Sequence, residues 1–161
     1  DKEGNIKTFE PGENVHKSGI LVTTKLPSST SELLKNDAVT IARKIVANLD
    51  YIGVMGVEFF LKENELYVNE FAPRVHNSGH WTMDGSYSSQ FQQHIRAIMD
   101  LPLLSTERHS YIIMYNLIGK VTSNLANNES AKVYVYGKKD SRPGRKMGHI
   151  NLIKKRGVNP P

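Results

Sequence analysis

The chain has 161 residues, 39% of them hydrophobic and 23% charged, and no cysteine. This is the composition of an ordinary globular protein able to bury a core, and it excludes disulfides, Cys-ligated zinc and a thiol nucleophile; no apolar run is long enough to cross a bilayer. The formal charge of +5 is local: nine Lys or Arg and one acid lie between Ala131 and Pro161, leaving twelve bases and fifteen acids before them. An anionic partner is therefore expected at the tail, either a small phosphate or a nucleic acid backbone.

The opening residues, DKEGNIKTFEPGEN, are polar where a signal or transit peptide would be apolar or Arg-rich. Export is not supported, and a cytoplasmic location is expected. Starting at Asp1 without a Met, apparently in mid-sheet, the sequence reads as a piece of something longer.

In chain order, Ile20–Leu26 is β-branched and mostly apolar and runs into Pro27-Ser28-Ser29-Thr30-Ser31, which predicts a strand and then a turn. Ser29 with Glu32 reads as a capping box, and Leu34, Ala38, Ile41, Ala42, Ile45 and Leu49 recur at helical spacing up to Asp50. Val54–Leu61 and Leu66–Phe71 are strand-like on either side of Lys62-Glu63-Asn64-Glu65, a hairpin. A second helix is predicted from about Ser86 to Met99, burying Phe91, Ile95 and Ile98 and stopping before Pro102. Three strand-like runs follow, Ser110–Ile118, Ala131–Tyr136 and Met147–Ile153, joined by Asn-, Gly- and Pro-containing loops. The fold class is α+β, with the tail a small β unit.

Chemistry concentrates in VNEFAPRVHNSGHWTMDGSYSSQ, Val68 to Gln90, which is too polar for a core and too rich in Trp, His and Arg for a plain loop. In the hairpin before it, Glu58 and Glu70 sit among hydrophobic residues, where a lone carboxylate is costly. They share a face only if the loop has an odd number of residues, such as Glu63, Asn64 and Glu65, and would then repel unless a cation lay between them. Oxygen ligands from Glu58, Glu70 and Asn69 suit Mg²⁺; alternatively, either acid faces solvent or pairs with a Lys or Arg. Arg74 offers a fork for carboxylate or phosphate oxygens, and His76 and His80 offer donors. His80 and Trp81 either touch ligand or fill a turn beneath the second helix, and His94 and His109 read as ordinary surface or helix residues. In YGKKDSRPGRKMGH, Lys138, Lys139, Arg142, Arg145 and Lys146 converge around Gly and Pro. That suits a compact phosphate, with a solvated basic loop as the alternative; nucleic acid is disfavoured because only Tyr134 and Tyr136 lie beside it.

NEFAPRVHNSGHWT, then SQFQQHIRAIMDLPL and YGKKDSRPGRKMGHINL, with ENVHKSGIL near the start, resemble the C-terminal half of the N5-carboxyaminoimidazole ribonucleotide synthetase family, ATP-grasp enzymes of purine biosynthesis. The resemblance implies the C-terminal part of an ATP-grasp domain over residues 1–104, an antiparallel sheet with two helices. A small β-rich domain carrying the basic loop would follow over residues 105–161. It implies ATP-dependent carboxylation of 5-aminoimidazole ribonucleotide by bicarbonate through carboxyphosphate, the work of a carbon-nitrogen ligase with ATP and Mg²⁺, acting as a homodimer without nucleic acid or membrane partners. By the same resemblance Glu58 and Glu70 hold Mg²⁺, and Asn69, Glu70 and His16 lie at the nucleotide. Arg74, His76 and Asn77 handle bicarbonate and the aminoimidazole, and Lys138, Arg142 and Arg145 bind the ribonucleotide phosphate. Family enzymes carry an N-terminal α/β domain and an ATP lid ahead of the region of Asp1, so this piece alone is expected to be inactive and to expose an apolar docking face. The alternatives are another ATP-grasp carboxylase or formyltransferase, or a non-enzymatic phosphate- or nucleic-acid-binding module.

Overall fold

The computed structural model describes residues 1–119 and 129–155. The loop expected between the first two tail strands falls largely on residues 120–128 and lies outside them. The elements are β1 (Glu13–Lys17), β2 (Ile20–Leu26), α1 (Glu32–Asn48), β3 (Gly56–Lys62), β4 (Glu65–Ala72), a 3₁₀ turn (Asn77–Gly79), α2 (Thr82–Gly85), α3 (Gln90–Ile98), β5 (Ser110–Ile118), β6 (Ala131–Val135) and β7 (Lys146–Lys155). The α+β architecture is as the sequence predicts. Asp1 does not begin in a sheet: its carbonyl closes a turn with the Gly4 amide, and the first strand starts at Glu13.

Two antiparallel sheets form, one of five strands in the order β1-β2-β5-β7-β6 and one of β3 and β4. The larger draws strands from both sides of residue 104, because Thr23–Leu26 pairs with Ile112–Tyr115. Its inner face carries Leu21, Leu26, Ile112 and Met114, and Trp81 packs onto them with its ring edge-on to Phe9 at 6.1 Å. Trp81 is 3% exposed, so it belongs to the core. That core fixes the segment from the 3₁₀ turn through α2 against the sheet, which positions the polar residues before it.

Both helices depart from their expected starts. Ser31, not Ser29, caps α1 by accepting from the Leu34 amide at 3.4 Å. Ser29 is engaged elsewhere, its amide and hydroxyl donating to Glu13 at 3.1 and 2.7 Å and holding that carboxyl below its ordinary pKa. The second helix begins at Gln90, with Ser89 and Gln92 forming the capping box. Ser86 is drawn instead into a bridge with Arg108.

The face of α3 is inverted relative to expectation. Gln90, Gln93 and Ala97 are buried, whereas Phe91, Ile95 and Ile98 are 39, 54 and 41% exposed. The glutamines go inward because they satisfy loop backbone: Gln93 donates to the Leu104 carbonyl and accepts from its amide, and Gln90 does the same for His76.

Candidate active site

The hairpin brings Glu58 opposite Glu70, by a different route from the odd loop expected. Glu63 and Asn64, at φ 50° and 66°, make a two-residue turn between the paired Lys62 and Glu65. On that register Glu58 would face Asn69. The ladder instead jumps from Phe59↔Val68 to Glu58↔Glu70, leaving Asn69 as the extra residue of a β-bulge.

Glu58 is 8% exposed, and around it gather residues from separate elements. Its Oε1 accepts from Asn14 Nδ2 at 3.4 Å and lies 3.6 Å from His76 Nδ1; Oε2 lies 3.9 Å from His16 Nε2. His76 Nε2 approaches Glu70 at 3.4 Å. His76 Nδ1 accepts from the Ser78 amide, which places the ring proton on Nε2, toward Glu70. Burial lowers the His76 pKa, opposed by Glu58 and Glu70, so the ring is neutral near pH 7. A Cβ on Gly56 would meet His76 Cβ at 2.6 Å, so this glycine lets the ring lie against β3.

Glu58, Glu70 and His76 offer ligand atoms within 4.8 Å of one another. Among the described residues neither carboxylate forms a salt bridge to a lysine or arginine. An oxygen-rich pair of this kind, one member buried, fits a hard divalent cation such as Mg²⁺.

The expected site residues divide into groups. His16, Glu58, Asn69 and His76 line one cleft of about 860 Å³. Arg74 is exposed and donates to the Val75 carbonyl at 3.0 Å. Asn77 points to the large sheet, exchanging two hydrogen bonds with Asn116 at 2.6 and 2.8 Å. Lys138, Arg142 and Arg145 stay on the tail loop, where Lys138 donates to the Lys146 carbonyl and Arg145 to the Asp140 carbonyl.

Lys146, at the start of β7, connects these regions. Burial lowers its pKa while Glu58 and Glu70 raise it, which places its ammonium within the field of the acid pair. Sequence reasoning missed Asn14 and took Lys146 only as one more cation of the basic loop. For Lys146 the available signal was its place at the head of the strand KMGHINLIKK, where the loop has ended. His94, expected to be ordinary, accepts the Val54 amide at 3.0 Å and so fixes the entry to β3.

Behind this group, burial lowers the pKa of both His80 and His149 to about 4. Between pH 6.5 and 4 the unfolded chain therefore takes up protons that the folded one refuses, and stability must fall as the pH drops through that window. By pH 5.0 the two rings together should cost about 2–4 kcal/mol, the upper end counting both shifts in full and the lower allowing for solvent screening. Thermal midpoints of the full-length protein at pH 7.5 and 5.0 check this; equal midpoints would contradict it.

Residues 1–91 match the sequence pattern of the ATP-grasp domain. The chain belongs to the ATP-grasp family. Residues 113–157 match the phosphoribosylaminoimidazole carboxylase C-terminal domain. Among its ATP-grasp relatives is the N5-carboxyaminoimidazole ribonucleotide synthase of Brucella melitensis, 50% identical over 98% of this chain and 45% of the relative. The Bacillus subtilis synthase is 42% identical over 94% of this chain and 41% of its own. The synthetase structure from Thermus thermophilus superposes with a TM-score of 0.90 at 43% identity, covering 95% of this chain and 43% of that one. The Aspergillus clavatus enzyme in complex with ADP and 5-aminoimidazole ribonucleotide gives 0.85 at 36% identity, covering 91% and 42%. The chain thus spans less than half the length of these relatives. As expected from the motifs, an ATP-grasp pattern is followed in it by a carboxylase C-terminal pattern.

Proposed function

We propose that the full-length protein carrying this chain uses ATP to carboxylate the exocyclic amine of 5-aminoimidazole ribonucleotide with bicarbonate, giving N5-carboxyaminoimidazole ribonucleotide. The observation that carries this reading is the facing Glu58–Glu70 pair, with His76 against it and Lys146 in its field, in a chain that matches the ATP-grasp domain and then the carboxylase C-terminal domain. Glu58 and Glu70 would hold Mg²⁺, with Asn69 and His16 beside the nucleotide. Bound there, Mg²⁺ would neutralise ATP phosphate oxygens.

The remaining work belongs to the chain's own side chains. His76, with its proton on Nε2, donates toward an oxyanion beside Glu70, while Arg74 and Lys146 supply positive charge for bicarbonate and the carboxyphosphate formed from it. The exocyclic amine of the aminoimidazole attacks the carboxyl carbon, the bond from that carbon to the phosphate oxygen breaks, and the departing phosphate takes the amine proton. Lys138, Arg142 and Arg145 would bind the ribonucleotide phosphate on a loop where backbone carbonyls already brace Lys138 and Arg145. Positioning and charge neutralisation carry the reaction, and no covalent enzyme intermediate is needed.

The same reading includes a homodimer, a cytoplasmic location and a division of the chain into modules near residue 104. No described helix is long and apolar enough to cross a membrane.

Arg145→Ala in the full-length protein should raise KM for the ribonucleotide about 10- to 100-fold with a smaller change in kcat, because it removes ground-state phosphate binding. An unchanged KM would defeat the phosphate assignment. Binding of DNA that weakened steeply with salt, with no response to Mg²⁺ or the ribonucleotide, would favour a nucleic-acid module instead.

A further inference from the structure

Asn116, His149 and Tyr134 occupy one cross-strand row on β5, β7 and β6, with Asn116 paired to His149 and His149 to Tyr134. This row lies on the inner face of the sheet, where an apolar side chain would be expected; His149 is 2% exposed and Asn116 8%. His149 stacks on Tyr134 at 4.6 Å and 14°, lies 4.9 Å from the His80 ring, and bonds through Nδ1 to the Tyr136 hydroxyl at 2.9 Å. Asn77 is doubly bonded to Asn116, and its amide opposes the rise that burial imposes on the Tyr136 pKa. Lys138 sits 5.4 Å over the Tyr136 ring while its ammonium donates to the Lys146 carbonyl.

Resting on the functional reading above, we propose that Tyr136 and His149 are a positioning pair that holds the His76–Asn77 turn in register with Lys138 and Lys146 of the tail. Both act through other side chains. His149 stays neutral because burial lowers its pKa to about 4, and burial raises that of Tyr136 to about 12. With the proton of the neutral His149 ring on Nε2, the Tyr136 hydroxyl donates to Nδ1 across the 2.9 Å contact and its oxygen is left to face Asn77. Asn77 commits its amide to Asn116, so its work is to fix the turn from which His76 projects. The ring face of Tyr136 sets Lys138, and its hydroxyl sets Asn77. One side chain thus ties together the two segments of chain that the carboxylation needs at a fixed distance.

The test uses the full-length protein. Tyr136→Phe keeps the ring beneath Lys138 and removes only the hydroxyl. It should lower kcat for aminoimidazole ribonucleotide roughly 10- to 100-fold while leaving KM for ATP and the thermal midpoint close to the parent's. His149→Leu should lose at least as much, and His149→Asn, whose amide oxygen can accept near the Nδ1 position, should recover part of it; a filler role would give no such rescue. Parental kcat and KM in Tyr136→Phe, or equal losses in the two His149 variants, would overturn the proposal. A parent that turns over no aminoimidazole ribonucleotide would instead remove the functional reading. The pair is then decided by ¹⁵N spectra: an unprotonated His149 Nδ1 whose shift moves in Tyr136→Phe supports it, and a protonated Nδ1 refutes it.

Discussion

Replacing Glu58 by glutamine in the full-length protein is expected to lower Mg²⁺-dependent turnover by at least about 10²-fold while leaving the metal-free fold as stable as before, or more so. The two effects have opposite signs for one reason. Glu58 is buried and faces Glu70 across the β3–β4 ladder, so without a cation the pair repels, and removing one charge relieves that repulsion. Gln keeps the shape and can still accept from Asn14, but it loses the charge that a divalent ion needs. Turnover against Mg²⁺ concentration, beside metal-free thermal unfolding, reads both effects. Unchanged turnover at every Mg²⁺ concentration would remove Glu58 from the metal site. A large loss of metal-free stability would instead give it a structural role.

Gly148→Ala should be the most damaging conservative change in the tail. A Cβ there would lie 2.2 Å from the Tyr134 carbonyl oxygen and 3.2 Å from Leu117 Cδ1. The first obstacle is backbone, which cannot rotate aside, so β6 and β7 must separate where Val135 pairs with Gly148. A loss on the order of 3 kcal/mol or more is expected, as for overpacking of a closed interior. Because β6 leads through Tyr136 into the Lys138–Arg145 loop, ribonucleotide binding should weaken along with stability. Thermal unfolding and a ribonucleotide titration of the full-length variant check this; a midpoint within about a degree of the parent's would show that the strands accommodate the methyl.

The local part of the fold was legible because it is written in short-range patterns. Ser110–Ile118 has the predicted bounds, and α1 and the hairpin fall close to theirs. The misreadings came from competition between distant groups. Ser29 looked like a cap until Glu13 claimed it. The apolar stripe of α3 looked like its inner face, but two glutamines with backbone partners in the loops went inward instead. The pairing of β2 with β5, which draws one sheet from both ends of the chain, has no local signature. Within the site, the acid pair and the basic loop were found from residue type and family resemblance. Asn116 and His149 were missed because each lies in a strand that otherwise reads as plain core. A polar residue at an inward position of such a strand was the signal available.

The bulge at Asn69 changes how this site should be sought in other sequences. Two glutamates flanking a two-residue turn at this separation would, by alternation alone, point to opposite sides of the ribbon. Here a single uncounted residue turns them toward each other. The pocket is therefore encoded partly by parity: a homologue can keep both acids and still lose their meeting if one position is dropped between them, and an aligner that closes that gap would conceal the loss.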